Sequence, residues 1–198
     1  MEVGDNPPSP TVYWVPELKL CDTDRRRLTD GALLTDKHMD GSAQLLAKQF
    51  PDMPGPQTTL RGQRPNLLQP AKENSMFFHN FCGHWALSHL KEDVVYLYDT
   101  LQPKSLHPDL QQQMVALYGK RTVKIPSVQV QKGTTDCGCF AIAFCVTLLY
   151  GDDPTCLKYD QKKMREHIVT SLINRHFSPF QATVKKTKRV QAIELTLD

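Results

Sequence analysis

Residues 128–145 read VQVQKGTTDCGCFAIAFC, and the reading of this stretch decides the fold. Its first part closes a strand-like run at 122–131, and the part after Cys137 is apolar nearly all round, as a helix buried on every side would be. Lys132, Gly133 and Thr134 form the link, and Thr134, Thr135 and Asp136 are capping types. Cys137 is therefore expected in the first turn of a buried helix, where unpaired N–H groups and the positive dipole end favour a thiolate. Gly138 leaves room beside the sulfur for a substrate backbone. Cys139 points elsewhere on the helix, Cys145 lies inside the apolar run, and Cys156 has no activating neighbour in sequence. These three read as small hydrophobes.

A nucleophilic thiol needs a base within reach and a third group that fixes the base's tautomer. HWALSHL at 84–90 and DVVYLYD at 93–99 read as the two strands of a hairpin. With its turn at Lys91 and Glu92, His84 faces Asp99, Ala86 faces Leu97 and Ser88 faces Val95. A three-residue turn at 91–93 would slip the register by one and carry Asp99 to the other face. Of the seven histidines, His84 is the one that the sequence pairs so directly with a carboxylate. Gln131, at a strand end six residues before Cys137, offers a neutral amide that can donate to an oxyanion beside the Cys137 N–H. The order His, Asp, Gln, Cys is specific where each member alone is weak.

Working outward, residues 1–10 hold Pro7, Pro8 and Pro10 and read as a disordered lead-in. Arg25 to Arg27 are balanced by Asp22, Asp24 and Asp30 and read as a solvated turn. Thr35 or Asp36 caps a helix in which Met39, Ala43, Leu46, Ala47 and Phe50 recur at helical spacing up to Pro51. Residues 51–70, rich in proline, form a long irregular loop. SMFFH at 75–79 is strand-like, and Pro126 argues that the run 122–131 is an edge or is broken. A helix is expected near 108–118, and another near 160–176 with Met164, Ile168, Leu172 and Ile173 on one face. Residues 181–198 are set apart as a basic tail whose KKTKR at 185–189 is either a localisation tract or a solvated run. The order of elements predicts an α+β domain over 11–180, with a central mixed, largely antiparallel sheet packed against helices.

Composition bounds the function. The chain has 198 residues, 40% hydrophobic and 23% charged, with a formal net charge of +3. That is no nucleic-acid-scale basic field. The longest apolar run, FAIAFCVTLLY at 140–150, falls well short of the roughly 20 residues that span a bilayer, and the acidic N-terminus is no signal peptide. The six cysteines read as reduced thiols of a nuclear or cytoplasmic protein. Cys82, His84, Cys137 and Cys139 are ligand types, yet no C-x2-C or H-x3-5-H pair is present, so no metal is expected.

The segments GHWAL, VVYLYDTL and VQVQKGTTDCGCFAIAFC resemble the signature of the ubiquitin-like-protein-specific cysteine proteases, the deconjugases of SUMO and related modifiers, to which adenovirus protease is a distant relative. The resemblance spans about residues 30–176, and LLTDKHMDGSAQLLAKQF resembles the helix that opens that domain. It points to a divergent branch, such as the copies in animal proteins derived from mobile elements. The family implies a papain-related core with Cys137 as nucleophile, His84 as base and then acid, Asp99 as its orienter and Gln131 as oxyanion donor. It implies Trp85, Leu33, Asp36, Asp136 and Gly138 around the slot for a C-terminal Gly-Gly, which a slot too narrow for a Cβ selects by exclusion. Leu33 stands where family members often carry a second Trp, and the His84 to Asp99 spacing is somewhat short. The implied activity is thiol-dependent hydrolysis after that diglycine, by a monomer, without cofactor or metal. Its partners are modifier proteins and their conjugates, with no nucleic acid or membrane. The alternatives are a non-catalytic modifier-binding pseudo-protease and a Cys-dependent protein acetyltransferase. A papain-like chain order is excluded, because only His167 and His176 follow Cys137.

Overall fold

The computed structural model describes residues 12–54, 56–185 and 192–197. Two short strands, β1 (Tyr13–Val15) and β2 (Leu20–Cys21), pair antiparallel ahead of helix α1 (Asp22–Thr29). Helix α2 (Asp36–Gln49) begins behind Thr35, which shares a reciprocal capping box with His38. The run Cys21–Asp24 caps α1 in the same way. A solvated turn was expected there. The helix forms because Leu28 is fully buried and Asp24 bonds back to the Cys21 N–H, and one apolar anchor in eight residues leaves no periodicity to read.

Strands β3 (Met76–Phe81), β4 (His84–Lys91) and β5 (Val94–Tyr98) follow, then helix α3 (Pro108–Tyr118) and strand β6 (Thr122–Ile125). Helix α4 (Cys137–Leu149), strand β7 (Leu157–Tyr159), helix α5 (Met164–Asn174) and strands β8 (Ala182–Val184) and β9 (Ile193–Thr196) complete the order. The central sheet runs β3-β4-β5-β6-β9, parallel only between β5 and β6. Both of its faces are covered, and the period of two along β4 shows how. Trp85 and Leu87 join a core built with α2, α4 and α5, while Ala86 and Leu90 join a second core under α3. Eleven successive residues of α4, Cys137 to Thr147, are buried.

Three expectations change in detail. The β4–β5 turn is Glu92–Asp93, both left-handed (φ 52° and 61°), so Lys91 pairs with Val94 and Ser88 with Leu97. The register lies two residues from the expected one, and because the shift is even, His84 and Asp99 keep the same parity while sitting diagonally. The run 122–131 ends as a strand at Ile125, where Pro126 cannot donate to the ladder, so Gln131 stands on a loop. Ile173 is exposed, whereas Met164, Ile168 and Leu172 are buried.

The stretch set apart as a tail holds β8, paired with β7, and β9, paired antiparallel with β6 in the central sheet. Leu197 just beyond β9 is fully buried in the α3-side core. The lead-in at 1–10 and residues 186–189 of the basic run lie outside the described residues.

Candidate active site

Cys137 opens α4, His84 opens β4, and Asp99 directly follows β5, so three element ends meet at one end of the sheet. His84 is set by the Cys82–Gly83 turn, both residues at positive φ, and its ring meets the Phe81 ring edge-on at 5.3 Å. Its Nε2 donates to Asp99 Oδ1 at 2.7 Å. The same oxygen accepts the Leu101 N–H at 2.8 Å, and Asp99 is 1% exposed, which fixes the carboxylate. Nδ1 is then the nitrogen left to face Cys137, which with Asp99 favours the charged ring. Burial pulls the imidazolium of His84 down, but the hydrogen bonds to Asp99 and Cys137, with their charges, outweigh it and raise His84 to about 9. A charged imidazole at neutral pH is thus held between a carboxylate and a thiol. The neighbouring thiols contrast with this: burial pushes both Cys139 and Cys145 up to about 12.

Gln131 is tied to the same corner. Its Oε1 accepts from the Thr100 hydroxyl at 3.1 Å and its Nε2 donates to the Gly133 carbonyl at 3.0 Å. One amide hydrogen is engaged there and the second is left over. Trp85 is 3% exposed, and its indole N–H donates to the Leu34 carbonyl at 2.9 Å. Leu34, which sequence reading passed over, in turn lies against Gly138: a Cβ placed there would come within 3.0 Å of the Leu34 Cβ. Leu33 beside it is exposed, and Asp36 sits half-buried in the first turn of α2.

Asp136 is turned inward. Its Oδ1 takes the Arg165 guanidinium at 2.7 Å and its Oδ2 takes the Gln161 amide at 2.6 Å, and its side chain makes no cap bond to α4. Arg165 and Gln161 were not legible in the sequence, because their partners lie 25 or more residues away. Among the described residues, the potential metal ligands that lie together are Cys82, His107 and Asp109, all exposed. They are not the set weighed from the sequence. His107 there serves as the cap of α3, its Nδ1 accepting the Asp109 N–H at 3.2 Å.

The mixed sheet between α3 and α4 gives this chain the fold of the Ulp1 SUMO proteases. Among solved structures, the SUMO protease Ulp1 with its catalytic cysteine oxidised to a sulfinic acid superposes with a TM-score of 0.62 at 18% identity, covering 83% of this chain and 88% of that one. The C-terminal Ulp1 protease domain, in complex with Smt3, the yeast ortholog of SUMO, gives 0.58 at 17% identity over 79% of this chain and 83% of that one. The catalytic domain of a Ulp1-like SUMO protease from Chaetomium thermophilum gives 0.51 at 17% identity, covering 74% of each chain. No family model and no curated protein matches the sequence.

Proposed function

We propose that this chain is a cysteine protease that hydrolyses the bond after the C-terminal Gly-Gly of a ubiquitin-like modifier, in an isopeptide conjugate or a precursor. The observation that carries the reading is the Asp99–His84 hydrogen bond, set beside Cys137 at the head of α4. The likeness of the fold to SUMO proteases supports the substrate class. The Cys137 thiolate attacks the glycine carbonyl carbon, and the C–S bond forms as the carbonyl oxygen gains charge. Gln131 Nε2, with its second hydrogen, and the backbone N–H groups at the head of α4 receive that oxyanion. The C–N bond breaks as the His84 imidazolium gives its proton to the leaving amine. Neutral His84 then takes a proton from water, whose oxygen attacks the thioester and releases the glycine carboxylate and the Cys137 thiolate. Trp85, Leu33 and Gly138 border the slot for the glycines, and no step calls for a metal or cofactor. Asp136 acts inside the protein instead. We place the enzyme in the nucleus or cytoplasm as a monomer, consistent with six free cysteines and with no described helix long and apolar enough to cross a membrane.

A panel of C-terminal electrophile probes built on SUMO, ubiquitin and other ubiquitin-like modifiers tests this. One member should form a covalent adduct at Cys137, and Cys137→Ala should abolish turnover while retaining modifier binding. Full turnover by Cys137→Ala would overturn the assignment.

A further inference from the structure

The short 3-10 turn Gln161–Lys163 and the first turn of α5 behind it carry polar contacts that the proposed chemistry does not use. Gln161 and Arg165, spaced four residues apart, both reach Asp136. Beyond that shared carboxylate their contacts diverge. Gln161 grips the loop on which Gln131 stands: its Nε2 donates to the Lys132 carbonyl at 2.8 Å and its Oε1 accepts the Lys132 N–H at 2.9 Å. Arg165 reaches the other way. Its guanidinium donates to the carbonyls of Thr135 at 2.8 Å and Ala32 at 2.9 Å, with longer bonds to Arg27 and Leu28 at 3.3 Å each. Ala32 directly precedes Leu33 and Leu34, and Leu34 is the residue packed on Gly138 and bonded to Trp85.

We propose that Gln161 and Arg165 are two positioning residues with separate tasks: Gln161 holds the loop that presents Gln131 to the oxyanion, and Arg165 sets the width of the diglycine slot by fixing the Leu33–Leu34 wall against the head of α4. This assignment rests on the protease reading above. It follows from fork geometry that a planar guanidinium with five donors can satisfy a carboxylate and several carbonyls at once, whereas a lysine cannot. The geometry also separates the two effects. A displaced oxyanion donor weakens the transition state and leaves the bound substrate alone, while a displaced slot wall weakens binding of the tail itself.

The test compares wild type, Gln161→Ala and Arg165→Met on a C-terminal aminocoumarin amide of whichever modifier labels Cys137. Gln161→Ala should lower kcat about tenfold with KM within about twofold, and alkylation of Cys137 by iodoacetamide, which forms no oxyanion, should keep its rate. Arg165→Met should raise KM about tenfold. Amide hydrogen exchange reads the positioning without any substrate: Lys132 should exchange faster in Gln161→Ala only, and residues 32–34 in Arg165→Met only. If Arg165→Met fails to fold, Arg165→Lys keeps the charge beside Asp136 but loses the fork, and it should show the same KM effect. Parallel losses of kcat, alkylation and global stability in both variants, or unchanged kinetics in both, would overturn the positioning roles. If wild type cleaves no modifier amide, the protease reading and the kinetic roles fall together, and the exchange data then report a clamp that is structural only.

Discussion

At the residue scale, the site depends on one charge. Asp99 carries the negative charge that, with Cys137, lifts His84 to about 9 against the pull of burial. An amide in its place preserves the shape and the acceptor oxygen but removes the charge. Asp99→Asn should therefore lower kcat by at least about tenfold at pH 7 while the thermal midpoint changes little. On the proposed mechanism, turnover in wild type should fall as pH rises through about 9, where His84 loses the proton assigned to the leaving amine. In the variant that basic limb should move toward the ordinary histidine range, and a pH–rate profile on a modifier amide reads both. A limb that stays put would show that Asp99 does not set the charge of His84.

At the element scale, two features make separate predictions. The head of α4 lies so close to α2's entry that Gly138 has no space for a side chain. Gly138→Ala gains helix propensity of about 1 kcal/mol, but its Cβ must push Leu34 aside. The expected result is little net gain in stability with a large rise in KM, read by urea unfolding and by kinetics. The second feature is a buried polar network between the sheet and α3. His79 bonds Ser88 at 2.7 Å and Gln113 at 2.9 Å, and Ser88 meets the Tyr118 hydroxyl. Burial, opposed only by the Gln113 bond, holds His79 down at about 4 against its ordinary 6.5. Between those values the unfolded chain binds more protons, so stability falls on acidification from 6.5 to 4. His84 acts with the opposite sign: its contribution is complete below 6.5 and is lost as pH rises through about 9. Urea midpoints should thus be highest near pH 6.5, and removing His79 should lessen the slope on the acid side alone, where buried His38 and His89 act in the same direction.

At the scale of the whole molecule, the end of the chain closes the sheet. β9 covers the outer edge of β6, and Leu197 is buried in the α3-side core, its N–H donating to the Arg121 carbonyl at 3.0 Å. Removing residues 192–198 would expose that edge and forfeit about 2–3 kcal/mol from Leu197 alone. The truncated protein should melt several degrees lower and associate in sedimentation experiments. An unchanged midpoint in a monodisperse variant would show that β9 is dispensable. The molecule also owes the alignment of its site to distant polar contacts, since Arg165 spans more than 130 residues of sequence to reach Ala32.

The elements that carry the candidate site were legible because local patterns specify them. The apolar run after Cys137 demands a buried helix, the alternation in 84–90 and 93–99 demands strands, and Pro126 ends one. The four candidate residues Cys137, His84, Asp99 and Gln131 were proposed from type and spacing, and they lie at one end of the sheet even though the hairpin turn falls one residue later than expected. Parity tolerates an even shift in register. The illegible parts share one cause. That Asp136 meets Arg165, that Leu34 and not Leu33 lies on Gly138, and that β9 joins the sheet are all settled by partners far away in sequence. Period and propensity act over a few neighbouring residues and so determine which elements form. The direction in which a polar side chain is spent depends on which elements end side by side, and only the packed tertiary structure decides that.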